Sequence, residues 1–253
     1  MDIKEIKQKY KILFDYHTHT VYSRVGPYLH GKGRIIDNAR AASRAGLREL
    51  AITDHGPTDF YGLSISDLPK MREDIAKAEK KYPRLKIHLG VEADITDSQT
   101  GIDVSPEDFG KFDFVNAGYH YVPNCHMILN WMSFHIPFPG ILKKRLRRQN
   151  TARIVRALKN NNIRILTHPG DKAFIDEHAV AKACEETGTL VEINARHRHP
   201  DRDDLQIYKM YDVSFVISSD AHRPKHVGRY AESMNLALEA GIDPSRIVNI
   251  KIL

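Results

Sequence analysis

Residues 11–20 read KILFDYHTHT, an apolar run of strand-forming residues that leads directly into two histidines separated by one residue. Side chains on an extended chain repeat every two residues, so His17 and His19 project to the same side and can bind one ion together. A histidine pair with this spacing is a weak signal alone, because two structural histidines are about as frequent. The pair lies at the end of a predicted strand. Whether residues that can bind metal also follow the other predicted strands therefore decides its meaning.

Similar apolar runs recur along the whole chain. Short segments rich in branched residues predict buried strands at residues 11–16, 49–53, 86–91, 112–117, 163–167, 189–193, 213–217 and 247–250. Amphipathic patterns between them predict helices at residues 34–45, 66–82, 151–160, 176–187 and 229–240. This alternation predicts βαβ units and a parallel sheet. No self-similarity at the spacing of a solenoid repeat is present.

Residues of metal-binding type follow nearly every one of these strands. Besides the first histidine pair they are Asp54, His55, Glu92, His120, His168, Asp220 and His222. In a closed parallel barrel such strand ends converge on one face. In an open doubly wound sheet they would spread along an edge and meet only at the switch point. Six strand ends of this kind therefore favour the barrel.

Composition is compatible with one α/β domain. The chain has 253 residues, 42% hydrophobic and 28% charged, which excludes a disordered or low-complexity chain. Barrels of about 200–250 residues commonly form a single domain. The net charge of +6 permits an anionic partner without specifying one. Fourteen histidines exceed the about five or six expected at average usage.

The expected compartment is the cytoplasm. Cys125 and Cys184 belong to no paired motif, as is usual for a reducing environment. The first ten residues contain no apolar signal-peptide region. The most apolar long stretch, residues 127–142, is interrupted by polar residues and prolines, so no membrane partner is expected.

The candidate ligands indicate a hydrolytic metal site. Imidazole combined with carboxylate suits Zn, Mn, Fe or Ni, and the lack of thiolates disfavours a structural zinc site. One ion takes four to six ligands, so about nine candidates imply two or three ions, which Glu92 could bridge through its two oxygens. Neither a glycine-rich phosphate loop nor an activated serine or cysteine is evident. Hydrolysis by a metal-bound hydroxide is the chemistry that these residues support.

Seven short motifs, taken in order, are similar to those of the PHP (polymerase and histidinol phosphatase) family of metal-dependent phosphoesterases. They occupy residues 15–20, 52–56, 90–93, 117–120, 166–170, 191–194 and 218–222. The resemblance implies a single domain over residues 1–253, folded as a distorted (β/α)7 TIM-like barrel. It also implies three divalent metal ions, with Zn, Mn and Fe left open.

The resemblance implies a ligand set for each ion. The first ion would be held by His17, His19, Glu92 and Asp220. The second would be shared by Glu92, His120 and His168. The third would be held by His30, His55 and His222. His30 is matched only by its distance ahead of the next helix.

Other residues receive more limited roles. Asp54, beside His55, is expected to orient an imidazole. His222 or an adjacent histidine is a candidate to protonate the leaving alkoxide. Arg196, three residues past a strand end, is a candidate phosphate contact, and Arg223 is a weaker one; the alternative for Arg196 is an exposed basic loop. Glu192 is interpreted as a strand residue that does not bind metal.

The long segment at residues 121–150 has three interpretations: a lid over the site, a helical excursion with a solvated basic face, or a nucleic-acid contact. We predict a phosphatase acting on a small phosphomonoester, with histidinol phosphate as a candidate. The alternatives are a nuclease or oligonucleotide phosphodiesterase of the polymerase-associated type, and a metal-binding scaffold without catalysis. The residues make no prediction of the oligomeric state.

Overall fold

Eleven strands and nine helices form the part of the chain that the structure describes. The computed structural model describes residues 1–120, 125–197 and 199–253, with side chains from residue 128 onward in the second range. The strands are β1 (Tyr10–Ile12), β2 (Phe14–Asp15), β3 (Arg24–Val25), β4 (Tyr28–Leu29), β5 (Glu49–Ile52), β6 (Lys86–Asp94), β7 (Phe114–Gly118), β8 (Ile163–Leu166), β9 (Leu190–Asn194), β10 (Phe215–Ser218) and β11 (Ile250–Ile252). The helices are α1 (Ile3–Lys9), α2 (Ile35–Ala45), α3 (Leu68–Lys81), α4 (Pro106–Phe109), α5 (Cys125–His135), α6 (Gly140–Asn160), α7 (Glu177–Thr187), α8 (Arg202–Tyr208) and α9 (Ala231–Glu239).

A nearly closed barrel of seven parallel strands lies at the centre. Its strand order is β10-β9-β8-β7-β6-β5-β2, and each neighbouring pair is parallel. The larger helices connect successive strands and surround them. The predicted distorted TIM-like barrel is therefore confirmed.

Burial on both faces explains why the strands read as apolar runs. Side chains such as Leu50, Ile52, Leu89 and Val91 are fully buried between the sheet and the surrounding helices. A second, smaller cluster lies apart from this layer and, with the side chains packed against it, contains residues of six different barrel strands or their ends. Its members are Tyr16, Ala51, Ile165 and Val216, with Phe14, Phe114 and Leu190 packed against them. This cluster fills the barrel interior, as expected for a barrel of this width.

Local sequence signals set the ends of several helices. α2 ends at Gly46 and α7 at Gly188, and both glycines adopt the left-handed conformation that closes a helix at low cost. Asp201 accepts hydrogen bonds from two backbone amides at the start of α8.

Three features differ from the sequence-based prediction. The predicted strand at residues 11–16 is divided, because β1 pairs antiparallel with β11 outside the barrel and only β2 joins the parallel sheet. The last strand consequently lies at residues 250–252 instead of 247–250. The helix expected at residues 151–160 begins at Gly140, since the charged residues ahead of it continue the helix.

The barrel closes between its first and last strands without a regular ladder. Thr18 and Ala221 form a single parallel bridge there. The Asn249 amide donates to the carbonyls of Phe14 (2.8 Å) and Ile217 (2.7 Å), and its Oδ1 accepts from the Ile217 N–H (3.0 Å). Asn249 is fully buried, so this one side chain joins both edges of the seam.

None of the helices in the described ranges combines the length and apolar character that a bilayer span requires.

We predict that Asn249→Ala destabilises the fold by about 2–4 kcal/mol, because it removes three buried hydrogen bonds and leaves backbone groups unsatisfied. Denaturant-induced unfolding measures this loss. Asn160→Ala, at the exposed end of α6, is the matched control and should change the unfolding free energy by less than about 0.5 kcal/mol. Equal effects for the two variants would contradict the role given to Asn249.

Candidate metal centre

The carboxyl ends of the barrel strands bring eight of the nine predicted ligand side chains to one face. Seven of them follow β2, β5, β7, β8 and β10 by two to four residues, and Glu92 lies near the end of β6. Because these barrel strands are parallel, their ends lie on the same face. The ninth, His30, directly follows β4, which pairs with β3 outside the barrel. Members of the set group around two carboxylates, Glu92 and Asp220.

Glu92 Oε2 faces three imidazoles. It lies 3.2 Å from His17 Nε2, 3.4 Å from His19 Nε2 and 3.2 Å from His55 Nδ1. The Nε2 atoms of His17 and His19 are 3.0 Å apart, as expected for a pair on one side of an extended chain. One oxygen of a fully buried carboxylate is thus surrounded by nitrogen ligands.

The other oxygen, Glu92 Oε1, faces two further imidazoles. It lies 3.0 Å from His168 Nε2 and 3.4 Å from His120 Nε2, and it accepts a hydrogen bond from the Thr167 hydroxyl at 2.7 Å. Gly118 is required beside this oxygen, because a Cβ there would lie 2.4 Å from Thr167 Oγ1 and 3.1 Å from Glu92 Oε1. The two oxygens of Glu92 therefore face two separate groups of histidines.

Asp220 is the second carboxylate. Its Oδ1 lies 3.4 Å from His19 Nε2 and 3.1 Å from His222 Nδ1, and its Oδ2 lies 3.0 Å from His197 Nε2. Both Asp220 and His168 have positive φ angles, 47° and 28°, a conformation that non-glycine residues adopt mainly in turns and functional sites. The backbone is thus strained at the two residues whose side chains point into the site.

His30 joins the cluster from the loop after β4. Its ring centroid lies 4.4 Å from that of His222 and 5.4 Å from that of His55. The ring stacks on Tyr61, with centroids 4.4 Å apart and planes inclined by 7°. Stacking holds the imidazole beside the two histidines with which the family resemblance grouped it.

Two carboxylates outside the predicted set orient imidazoles. Glu192 Oε1 accepts from His17 Nδ1 at 2.7 Å, and Asp94 Oδ1 accepts from His120 Nδ1 at 2.5 Å. Each bond gives an Nδ1–H a carboxylate partner and fixes the ring so that its Nε2 faces Glu92. Asp94 lies two residues after Glu92 on β6, so the strand period of two is a signal that could have identified it.

Among the described residues Asp54 hydrogen-bonds directly to no imidazole, which differs from the role predicted for it. Its carboxylate accepts hydrogen bonds from the backbone and side chain of both Thr20 and Ser23, at 2.6–3.1 Å. Ser23 Oγ in turn lies 3.5 Å from His19 Nδ1. Asp54 thus fixes the turn at residues 20–23, and it reaches an imidazole only through Ser23.

The charges of the cluster depend on one another. Burial lowers the pKa of His17, but neighbouring carboxylates, Glu92 foremost, outweigh burial and hold that pKa well above its ordinary value. Burial raises the pKa of Glu92, but His17 and His120 hold it well below its ordinary value. Burial and the charge of His222 hold the pKa of His19 well below its ordinary value. Glu92 is therefore ionised and requires positive charge nearby.

Several buried atoms of the cluster have no hydrogen-bond partner among the described residues. They are Glu92 Oε2, Asp220 Oδ1, His55 Nδ1 and His222 Nε2. Buried polar groups are normally satisfied, so converging unsatisfied ligand atoms fit a cation better than any protein partner. Groups of three ligands within reach of one ion include His17, His19 and Glu92; His19, His55 and His222; and His55, Glu92 and His120.

A cavity of about 230 Å³ opens over this cluster. Arg196 and Lys172 contribute cationic side chains to its lining, and Arg196 Nη1 lies 3.5 Å from Asp220 Oδ2. Arg223 is exposed and lies outside the lining, unlike the weak expectation for it. His197 also lines the cavity, between Asp220 and Asp171, with 3.0 Å to a carboxylate oxygen of each.

Sequence reasoning assigned no role to His197 or Lys172. His197 lies in the run Arg196-His197-Arg198-His199, in which spacing alone does not distinguish one histidine from the other. Lys172 follows His168 in a loop without a further motif. Both enter the site through loop conformation, which a strand pattern does not encode.

The barrel and the ligand cluster together define a metal-dependent hydrolase with its site at the carboxyl ends of parallel strands. The PHP domain model matches residues 15–162, more than half of the chain. The chain therefore belongs to the PHP domain family, and the predicted class, a metal-dependent phosphoesterase, is confirmed.

Individual relatives agree with this family. A probable phosphatase of Caldanaerobacter subterraneus is 29% identical to the chain, over 97% of this chain and 90% of the relative. The structure is similar to histidinol phosphate phosphatase of Lactococcus lactis, solved with zinc, L-histidinol and phosphate. That match has a TM-score of 0.63 and 18% identity, and covers 91% of this chain and 94% of the other. It is also similar to one of two metal-dependent tyrosine phosphatases from Bacillus subtilis and Streptococcus pneumoniae (TM-score 0.52, 16% identity, 90% and 86% covered).

We predict that Glu92→Gln lowers the metal content of the purified chain and reduces turnover of phosphate esters by more than about 100-fold, because both ligand groups lose their shared charge. Elemental analysis and turnover of p-nitrophenyl phosphate measure the two effects. Glu107→Gln, an exposed carboxylate on α4, is the control and should change neither. Full metal content in Glu92→Gln would show that the carboxylate does not bridge ions.

Proposed function

We propose that the chain hydrolyses small phosphomonoesters at a site for three divalent metal ions, with histidinol phosphate as the leading substrate. The observation that carries this proposal is the cavity of about 230 Å³, in which two cationic side chains face a cluster of unsatisfied ligand atoms. The volume suits a phosphate with a small leaving group. The relative solved with L-histidinol and phosphate supports the choice of substrate.

The residues fit three ion sites, of which the first two share Glu92. We assign His17, His19, Glu92 and Asp220 to the first ion, as the resemblance implies, since their ligand atoms lie 3.0–3.8 Å apart. Glu92 Oε1, His120 and His168 form the second group, and His30, His55 and His222 the third. Bound ions would supply an activated water and neutralise phosphoryl oxygens. Zn, Mn and Fe are all compatible with these ligands.

Residues around the ligand cluster bind and orient the substrate. The Arg196 guanidinium, at the edge of the cavity, donates to phosphate oxygens, and Lys172 adds a second positive charge. Asp171 and Asp220 hold His197 between them, so its ring has a fixed orientation toward the cavity. His222 belongs with the ligands, because its Nε2 is unsatisfied within the cluster and its Nδ1 faces Asp220.

We predict that metal-loaded protein releases inorganic phosphate from p-nitrophenyl phosphate and, with a higher kcat/KM, from histidinol phosphate. A labelled oligonucleotide in the same assay should yield no mononucleotides, since the cavity accepts a small ester. A chelator should abolish turnover. Release of mononucleotides without monoester turnover would instead support the nuclease alternative, and stoichiometric metal without turnover of any ester would support a scaffold.

We predict that Arg196→Ala lowers kcat/KM for a phosphomonoester by about 10–100-fold, because a charge-assisted hydrogen bond to the phosphate is lost. Arg223→Ala is the natural control, since that side chain is exposed outside the cavity lining and should change kcat/KM by less than about twofold. Steady-state kinetics on both variants test the assignment. Equal losses would place the phosphate elsewhere.

A further inference from the structure

The surface of residues 128–148, formed by α5, the first part of α6 and the turn between them, has no role in the site described above. We propose that this surface, called here the α5–α6 surface, attaches the protein peripherally to an anionic phospholipid membrane. A peripheral contact needs no spanning helix, and it departs from the expectation that the chain has no membrane partner.

Large apolar side chains are exposed on this surface at high density. Ile141 is 79% exposed, Ile128 54% and Trp131 47%. The exposed set within fifteen residues is Ile128, Leu129, Trp131, Ile136, Ile141 and Leu142. Scattered exposed apolar residues are ordinary, whereas a contiguous group marks an interaction site.

Unpaired basic residues accompany these apolar side chains. Residues 128–148 contain five Lys and Arg and no Asp or Glu. Removing these five from 38 leaves 33 basic residues against 32 acidic ones, so this surface carries nearly all of the positive surplus of the chain. Among the described residues no carboxylate lies within ion-pair distance of Lys144, Arg145 or Arg148.

Apolar and basic side chains line the same grooves. Ile141, Lys144 and Arg148 line a groove of about 710 Å³ along α6. Leu129 of α5 lines a second groove of about 270 Å³, together with Leu142 and Arg145 of α6. The positive charge is therefore adjacent to the apolar surface, as in helices that lie in a membrane interface.

The combination favours lipid over other anionic partners. A nucleic acid would use the basic side chains, but exposed isoleucines offer its backbone no favourable contact. A second copy of the chain packed symmetrically on this surface would bring like charges together. An anionic bilayer accepts both features, because apolar side chains enter the acyl boundary while basic ones contact headgroups. Tryptophan is also favoured at that depth.

Trp131 is the only tryptophan of the chain, so its fluorescence reports directly on the proposed surface. We expect vesicles of phosphatidylglycerol and phosphatidylcholine to shift its emission to shorter wavelength, and brominated lipids to quench it. Pure phosphatidylcholine vesicles should bind at least about tenfold more weakly, and high salt should weaken binding to the mixed vesicles. Saturating inorganic phosphate should leave binding unchanged, which excludes capture of headgroups by the catalytic cavity.

Matched variants separate this surface from general charge. Lys144→Glu with Arg148→Glu should weaken vesicle co-sedimentation by at least about tenfold, whereas Arg84→Glu with Lys182→Glu, which changes net charge equally, should not. Ile141→Ser should weaken binding and Met210→Ser, exposed elsewhere, should not. All four should turn over p-nitrophenyl phosphate as the unaltered chain does, which shows that they fold.

Three results would overturn the proposal. The first is an unchanged Trp131 emission with anionic vesicles. The second is a blue shift that depends on protein concentration without lipid, which would indicate a second copy of the chain. The third is an oligonucleotide that binds more tightly than the vesicles and loses affinity in the Lys144→Glu, Arg148→Glu variant, which would indicate a nucleic-acid surface.

Discussion

A single buried carboxylate, Glu92, is the constraint on which the site depends. Both of its oxygens face imidazoles, 3.0–3.4 Å away, and the side chain has no exposure to water. An ionised carboxylate at such a position is costly unless positive charge surrounds it. Histidines from the ends of other strands surround this carboxylate together. The charge balance of the site therefore depends on the geometry of the barrel.

The parallel barrel makes this grouping of histidines possible because it brings residues that are distant in sequence to one face. His17 and His222 are separated by most of the chain, yet both lie at the seam where the first and last barrel strands meet. Asn249 and Asp15 hold that seam with hydrogen bonds to backbone groups on the opposite side. Incorrect closure of the barrel would separate the side chains around Asp220 from those around Glu92. The seam therefore also positions the metal-binding residues.

Much of this arrangement could be predicted from the sequence, and the exceptions share a physical cause. Strand period and strand ends predicted a parallel barrel and the grouping of residues such as His55 and Glu92, because regular backbone fixes side-chain direction. The hydrogen bonds of Asp54 could not be predicted in this way, since its partners lie in an irregular turn. His197 likewise entered the site through a loop, where local sequence does not determine direction.

The unsatisfied ligand atoms link stability to function. Glu92 Oε2 and Asp220 Oδ1 are buried and accept no hydrogen bond from any described residue, and His168 and Asp220 adopt positive φ angles beside them. Each of these features costs folding free energy, and a bound cation would offset the part that comes from the unsatisfied oxygens. Ions that bind the folded chain and not the unfolded one stabilise it in proportion to their concentration. The apolar core around the barrel must therefore supply the folding free energy that offsets this cost when no ion is bound.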